Sequence, residues 1–305
     1  MGDGVRDRIG AVESAVNGRL PRGLKLGFLT LYVYSTRTSD RLDDVARRPL
    51  WRRWTDLSVG VLLASQVAGL LVVGLAAVRA LGQEQATALN DPANTVAVPG
   101  LNAFMPLASA PYVVLALLVA TVVHEGGHAL ACRAAGVDIE EWGIALLLGF
   151  IPLAGYVLPA DELDDASLRA RLRVYAVGVF HNLLVTAVTM GVLLLPVTAT
   201  PRAAFVEYFG WAVVGQAPPT AATVAQLGVL TNTAFWLALL NVNFGLLNAL
   251  PVSVLDGGRV LSLTLQRGGE LAGYPVSERA RLTVVHTASF AVVLLLGVAL
   301  FAPLF

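Results

Sequence analysis

Charge is scarce in this chain. Asp, Glu, Lys and Arg make up 14% of it, whereas 56% is hydrophobic and mean hydropathy is +0.70. A soluble domain carries about 25% charged residues, so the composition excludes an ordinary water-soluble globule and points to an integral membrane protein. The formal net charge of +0 leaves no basic surplus and argues against nucleic-acid binding as a main role. One cysteine, Cys132, excludes an intrachain disulfide and gives no signal of compartment. It reads as a small packing residue. The first 50 residues are polar and Arg-rich with no early apolar core, so no signal peptide is expected and the first span is expected to act as an uncleaved anchor. There is no internal repeat or low-complexity tract. The Gly-x-Ser-x-Gly elbow of serine hydrolases is also missing.

Long apolar runs are what the chain does have. Hydropathy places spans at about 57–81, 111–135, 172–196, 229–250 and 282–303. The run 142–158 is short for a span and is interrupted by Gly149, Pro152 and Gly155. It is expected to enter and leave the membrane on one side, shielded by protein. The fold class is therefore an all-α polytopic membrane protein, with five to six transmembrane helices and a small membrane-associated β-hairpin or re-entrant segment. Residues 83–110 and 197–228 read as loops, and 260–265 as a short apolar stretch before the last span. The expected organisation is a basic cytoplasmic or interfacial segment at 1–54, followed by one membrane domain at 55–305. Within the first segment, 24–35 (LKLGFLTLYVYS) is too short to span and is either interfacial or a packed extension. Trp51 and Trp54 among Arg47, Arg48, Arg52 and Arg53 read as an interfacial anchor.

Basic residues set an orientation. Residues 1–53 hold eleven of the twenty-one Lys and Arg. With residue 1 in the cytoplasm, Arg133, Arg169, Arg171, Arg173, Arg259, Arg267, Arg279 and Arg281 also fall inside, and the outer loops keep Arg79 and Arg202. This follows the positive-inside rule. It brings the cytoplasmic half of the second span and the cytoplasmic end of the fourth to a similar depth.

Inside the second span lies His124-Glu125-Gly126-Gly127-His128. On a helix the two histidines face the same way one turn apart. That spacing lets two imidazoles bind one metal ion while Glu125 acts on a water at that metal. Ionisable groups at membrane depth are costly and read as functional. A catalytic zinc takes three protein ligands. Asp256, after the fourth span and before Gly257-Gly258, is the natural third, which leaves Glu125 as general base.

These motifs resemble the site-2 protease family of intramembrane zinc metalloproteases, peptidase family M50. The resemblance rests on HEGGH at 124–128, on Asn248-Ala-Leu-Pro251-Val-Ser-Val-Leu-Asp256-Gly257, and on GVFHNLL at 178–184, and it covers about 111–265. It implies one Zn2+ per chain held by His124, His128 and Asp256, with Glu125 as base. Asn248 and Asn182 would hold substrate backbone or steady the site. The Phe-His-Asn form at 180–182 and the aromatic, basic N-terminus are closer to the eukaryotic and archaeal type of branch. The 197–228 loop is too short for an inserted PDZ domain, since domains start near about 50 residues.

The implied reaction is peptide-bond hydrolysis in or near a transmembrane segment, in regulated intramembrane proteolysis. The expected partners are a membrane-anchored protein substrate and lipid, not nucleic acid, and the oligomeric state is open. The expected location is a prokaryotic plasma membrane with the site toward the cytoplasm. By the same resemblance, 142–158 would offer a strand edge to an unwound substrate, or else plug the site. Two other classes stay open. A metal transporter also places His and Asp in spans, but would not need Glu125 and often shows repeats. A membrane metalloprotease acting on cytoplasmic chain ends would favour a downstream Glu as ligand, and Glu207, Glu270 and Glu278 fall in expected loops.

Overall fold

The structure is a computed structural model. It describes residues 16–27, 29–83, 86–87, 90–149, 151–195 and 220–304. Two strands, β1 (Leu24–Gly27) and β2 (Thr30–Ser35), precede a short helix α1 (Asp40–Ala46) and the long α2 (Leu50–Leu81). Then come α3 (Ala110–Ala135), β3 (Ile139–Leu147), β4 (Ile151–Pro159), one turn α4 (Glu162–Asp165), α5 (Leu168–Leu193), α6 (Ala221–Ala249), α7 (Asp256–Leu271) and α8 (Glu278–Phe301).

Five helical stretches are long and apolar enough to cross a membrane: Leu50–Leu81, Leu107–Ala135, Leu168–Leu193, Ala221–Ala249 and Glu278–Leu304. This is the all-α polytopic class with a small sheet. Side chains distribute as a bilayer requires. On α2 the inward stripe carries Thr55, Ser58, Ser65, Gln66 and Gly69, whereas Leu57, Leu71 and Val78 face outward. The most apolar stretches of α5 and α6 are 44% and 50% buried, against 11% for α8, so α5 and α6 form the centre and α8 lies at the periphery. Val113, Ala116, Leu193, Phe235 and Trp236 close one end of that centre. Ala131, Cys132, Val137, Val174 and Val177 close the other, where Cys132 acts as buried packing.

The run 142–158 is a β-hairpin, β3–β4, turning at Leu148 and Gly149 with φ of 53° and 83°. The sequence did not foretell its partner. Residues 24–35 form a second hairpin, and β2 pairs antiparallel with β3 from Thr30↔Leu147 to Ser35↔Trp142. The packed-extension reading of 24–35 therefore describes it, within one antiparallel sheet of order β1-β2-β3-β4. The outer edge of β1 is closed. The Asn17 carboxamide accepts from Leu26 N–H (2.6 Å) and donates to Leu26 C=O (2.9 Å), and Leu24 N–H bonds to Pro21 C=O. The other edge, β4, runs against α3: a Cβ on Gly155 would lie 2.3 Å from Thr121 Cγ2.

Several boundaries differ from the sequence reading: the first span begins at Leu50 and the third runs from Leu168 to Leu193. Helix α6 starts at Ala221 with a Thr220–Thr223 capping box and breaks at Gly228 (φ 71°, ψ 174°), so the stretch expected as loop up to 228 is partly helix. Residues 196–219 of that loop lie outside the described residues, as does Glu207. Glu270 belongs to α7, not to a loop, and Glu278 opens α8. The Trp anchor also turns inward. Trp54 Nε1 donates to His181 Nε2 (2.9 Å), and its ring lies edge-on to Phe180 at 4.9 Å. Asp56 accepts from both Arg169 and Arg173, which ties α2 to α5.

Candidate metal centre

His124 and His128 lie on the face of α3 that meets α5, 3% and 9% exposed, with ring centroids 4.8 Å apart. Helix α5 orients both rings. His128 Nδ1 lies 2.7 Å from the Val174 carbonyl. A carbonyl only accepts, so Nδ1 carries the proton and the Nε2 lone pair is free. His124 Nδ1 lies 2.6 Å from Asn182 Oδ1. The Asn182 amide cannot be turned round, because its nitrogen donates to Ala120 C=O (2.9 Å) and to Asn241 Oδ1 (3.0 Å). His124 is thus also the Nδ1–H tautomer. Space for both rings comes from Gly178, where a Cβ would sit 2.7 Å from His128 Nε2 and 2.8 Å from His124 Nε2.

The loop between α6 and α7 delivers Asp256. Pro251 follows the last turn of α6, and Leu250 is already extended (φ −62°, ψ 143°). Gly257 and Gly258 let the chain fold back on itself: a Cβ on Gly257 would stand 2.1 Å from the Ala249 carbonyl oxygen. Asp256 Oδ2 then lies 3.0 Å from His124 Nε2 and 3.3 Å from His128 Nε2. This oxygen is buried and accepts no hydrogen bond. Among the described residues these three side chains form a group whose ligand atoms all lie within 4.8 Å of one another.

Three electron-pair donors facing one another across a buried space repel unless a cation lies between them. Two imidazole nitrogens and a carboxylate oxygen match the donor preference of zinc. Four ligands at about 2.0–2.1 Å in a tetrahedron are about 3.3 Å apart, close to the observed His–Asp separations. The residues present therefore fit a zinc ion.

Glu125 lies on the adjoining face of α3, close to His124, His128 and Asp256, and its carboxylate accepts from the Val157 N–H of β4. It lines a cavity of about 420 Å³ enclosed by Leu118, Thr121, Gly126, Trp142, Gly155 and Tyr156, and also by Arg37 to Ser39 ahead of α1. A Cβ on Gly155 would come 3.2 Å from Glu125 Cγ, so β4 passes directly beside this carboxylate. Arg37–Ser39 is fastened as a strap. Trp142 Nε1 donates to Arg37 C=O (2.9 Å), and Arg133 grips Asp43 of α1, with Nη2 2.8 Å from Oδ2. The hydrogen bond from Arg133 lowers the Asp43 pKa below its ordinary 3.8.

Of the residues singled out from sequence, His124, His128, Asp256 and Asn182 come together, and Glu125 stands next to them on the cavity side. Asn248 does not join them. Its amide donates back to Phe244 C=O (3.0 Å), and among the described residues it bonds to none of the other five. Phe244 itself packs edge-on against His124 at 5.4 Å. His181 serves packing, with Nδ1 on Val123 C=O (3.1 Å). Sequence reasoning missed Gln66 and Asn241. Each is a buried amide in an apolar helix, and that oddity was the available signal.

Fold and site together define a polytopic helical membrane protein with a buried His-His-Asp group suited to a metal ion. The model of peptidase family M50 matches residues 112–296, more than half the chain, and the chain belongs to that family, the site-2 protease family. It is 43% identical over 81 residues to the regulator of sigma-E protease RseP of Escherichia coli (strain K12), covering 27% of this chain and 17% of that protein. It is 28% identical over 151 residues to the putative zinc metalloprotease Rip3 of Mycobacterium tuberculosis (strain ATCC 25618 / H37Rv), covering 50% of this chain and 30% of that protein. The matched stretches thus span less than a third of either relative. No solved structure matches the chain.

Proposed function

We propose that this chain is a zinc-dependent intramembrane endopeptidase that cuts a membrane-anchored protein within or near its transmembrane segment. The observation that carries the reading is the convergence of His124, His128 and Asp256, with Glu125 one residue away and facing an apolar cleft. His124, His128 and Asp256 would hold one Zn2+, which when bound supplies Lewis-acid polarisation of the scissile carbonyl and acidifies water.

The chain's own groups do the rest. Glu125 takes the proton from the attacking water and returns it to the leaving amine, so the proton count closes over one turnover. A transmembrane helix already has its carbonyls hydrogen-bonded and must unwind locally before a peptide bond is accessible. The edge of β4 that passes beside Glu125 would offer backbone partners to the unwound stretch by strand addition. The cleft lining favours apolar side chains. Asn182, backed by Asn241, keeps His124 in the tautomer that leaves Nε2 for the metal.

The orientation that fits the arginine distribution puts Glu125 and Asp256 toward the cytoplasm, in the plasma membrane of a prokaryote. Regulated intramembrane proteolysis is the matching role, because a cytoplasmic fragment is released. The 24 residues at 196–219 are too few for an inserted domain of about 50 residues, so access to the cleft would be controlled by the strap, the spans or a partner.

The test is cleavage of a model single-span substrate by purified protein, comparing wild type with Glu125→Gln and measuring zinc in each sample. Expected is cleavage by wild type, and a loss of at least about 10²–10⁴-fold in Glu125→Gln with zinc retained. Intact substrates together with zinc transport into liposomes would replace this reading with a transporter.

A further inference from the structure

We propose that Gln66, in the middle of α2, is a positioning residue for Asp256. The inference rests on the metal reading above. Gln66 is 7% exposed and belongs to the outer helix that precedes every residue of the site. Its Nε2 donates to two backbone carbonyls, Ala249 C=O (3.0 Å) and Gly257 C=O (2.9 Å). Ala249 is the last residue of α6 and Gly257 the second of α7. One amide group therefore spans the neck of the loop that carries Asp256.

The neck needs such a group. The carbonyls of the last helical turn have no partner within their own helix, and in an apolar interior an unpaired one is costly. The Leu247 and Leu250 carbonyls are satisfied locally, by Leu250 N–H (3.1 Å) and Val252 N–H (2.7 Å). That of Ala249 is satisfied by Gln66. The two strands of the neck are already as close as backbone allows, since neither Gly257 nor Gly258 has room for a Cβ. The far side of the loop is held from α8, where Ser289 Oγ accepts from Ser253 N–H (2.8 Å). Between these two holds, Asp256 Oδ2 stands at the histidines with no hydrogen bond of its own. Its place is set by backbone, and Gln66 holds that backbone at the neck.

Apolar or acidic side chains of similar size do not do the same work. Leucine or methionine fills the space but donates nothing. A glutamic acid kept neutral by the apolar surroundings has one O–H and can hold one of the two carbonyls.

The test is zinc affinity of the purified full chain by chelator competition, together with thermal unfolding, for wild type, Gln66→Leu, Gln66→Glu and Leu193→Ala. Leu193 is a buried core residue at the end of α5 remote from Val174, and serves as a control for general destabilisation. Expected is a zinc Kd raised about 10–100-fold in Gln66→Leu, as for other groups that orient metal ligands. Gln66→Glu is expected between Gln66→Leu and wild type, and Leu193→Ala at the wild-type Kd despite a lower melting temperature. Equal zinc affinity in Gln66→Leu and wild type overturns the proposal. So does a loss in Leu193→Ala as large as that in Gln66→Leu, because the effect would then be one of stability. Wild-type protein that binds no zinc overturns the metal reading itself.

Discussion

A single missing side chain decides whether the two histidines fit. Gly178 faces both rings, and a methyl there would overlap the ligand nitrogens at under 3 Å. Gly178→Ala is expected to displace one imidazole, at an overpacking cost of about 1–3 kcal/mol. Metal analysis of the purified variant should find substoichiometric zinc, and full zinc occupancy would show that α3 and α5 can part without harm to the site. The pairing of His124 with His128 was legible because helix periodicity encodes it, and Asp256 was legible from its place at the end of the fourth span and from the family resemblance. The contribution of Asn241 was not. An amide in a span can bond to any neighbouring helix, and the Asn182 nitrogen that it holds lies 59 residues away.

Among the elements, the five membrane-length helices were readable from hydropathy and the pairing of the two hairpins was not. The apolar run 142–158 showed its breaks, but the strand that covers β3 comes from residues 30–35, more than a hundred positions earlier. No local pattern specifies a pairing at that distance. The start of α6 was missed for another reason: the helix breaks at Gly228, and Asn232 Nδ2 bridges the break by bonding to the Val224 and Gly228 carbonyls (2.7 and 2.8 Å). Two predictions belong to this scale. Gly155→Val is expected to lift β4 from α3, because even a Cβ meets Thr121 at 2.3 Å. Substrate cleavage should fall while zinc content stays at the wild-type level, and unchanged cleavage would remove β4 from the proposed substrate path. The second concerns the strap. A carboxylate with a lowered folded pKa stabilises above its unfolded pKa and loses that contribution as pH falls through the folded value. The Asp43–Arg133 clasp is therefore intact above about 3.8 and opens in acid below it. Limited proteolysis between Ser35 and Asp40 should quicken below that range in wild type and be fast at all pH values in Asp43→Asn. A rate independent of both would mean the clasp does not hold the strap.

At the scale of the whole molecule, the site lies between α3, α5 and the start of α7, within spans that bury polar groups among apolar ones and turn leucines and valines outward. The proposed orientation puts the α7–α8 connection on the cytoplasmic face. Tyr274 there is 81% exposed, and the single native cysteine is buried. Tyr274→Cys is thus a clean reporter. A membrane-impermeant thiol reagent should label it in inverted membrane vesicles and spare it in intact cells. The reverse pattern would invert the topology and with it the side on which product is released.

Asn17 gives the sheet a further property. Its carboxamide imitates a peptide unit and occupies Leu26 on the outer edge of β1, as an added strand would. In the language of polymers, the four strands form a chain terminated at its β1 end. Under the proposed function, growth falls to the β4 side, where a guest strand would meet Glu125. The cap at Leu26 works against edge-to-edge joining of two copies through β1, and so keeps the sheet from accepting its own kind there.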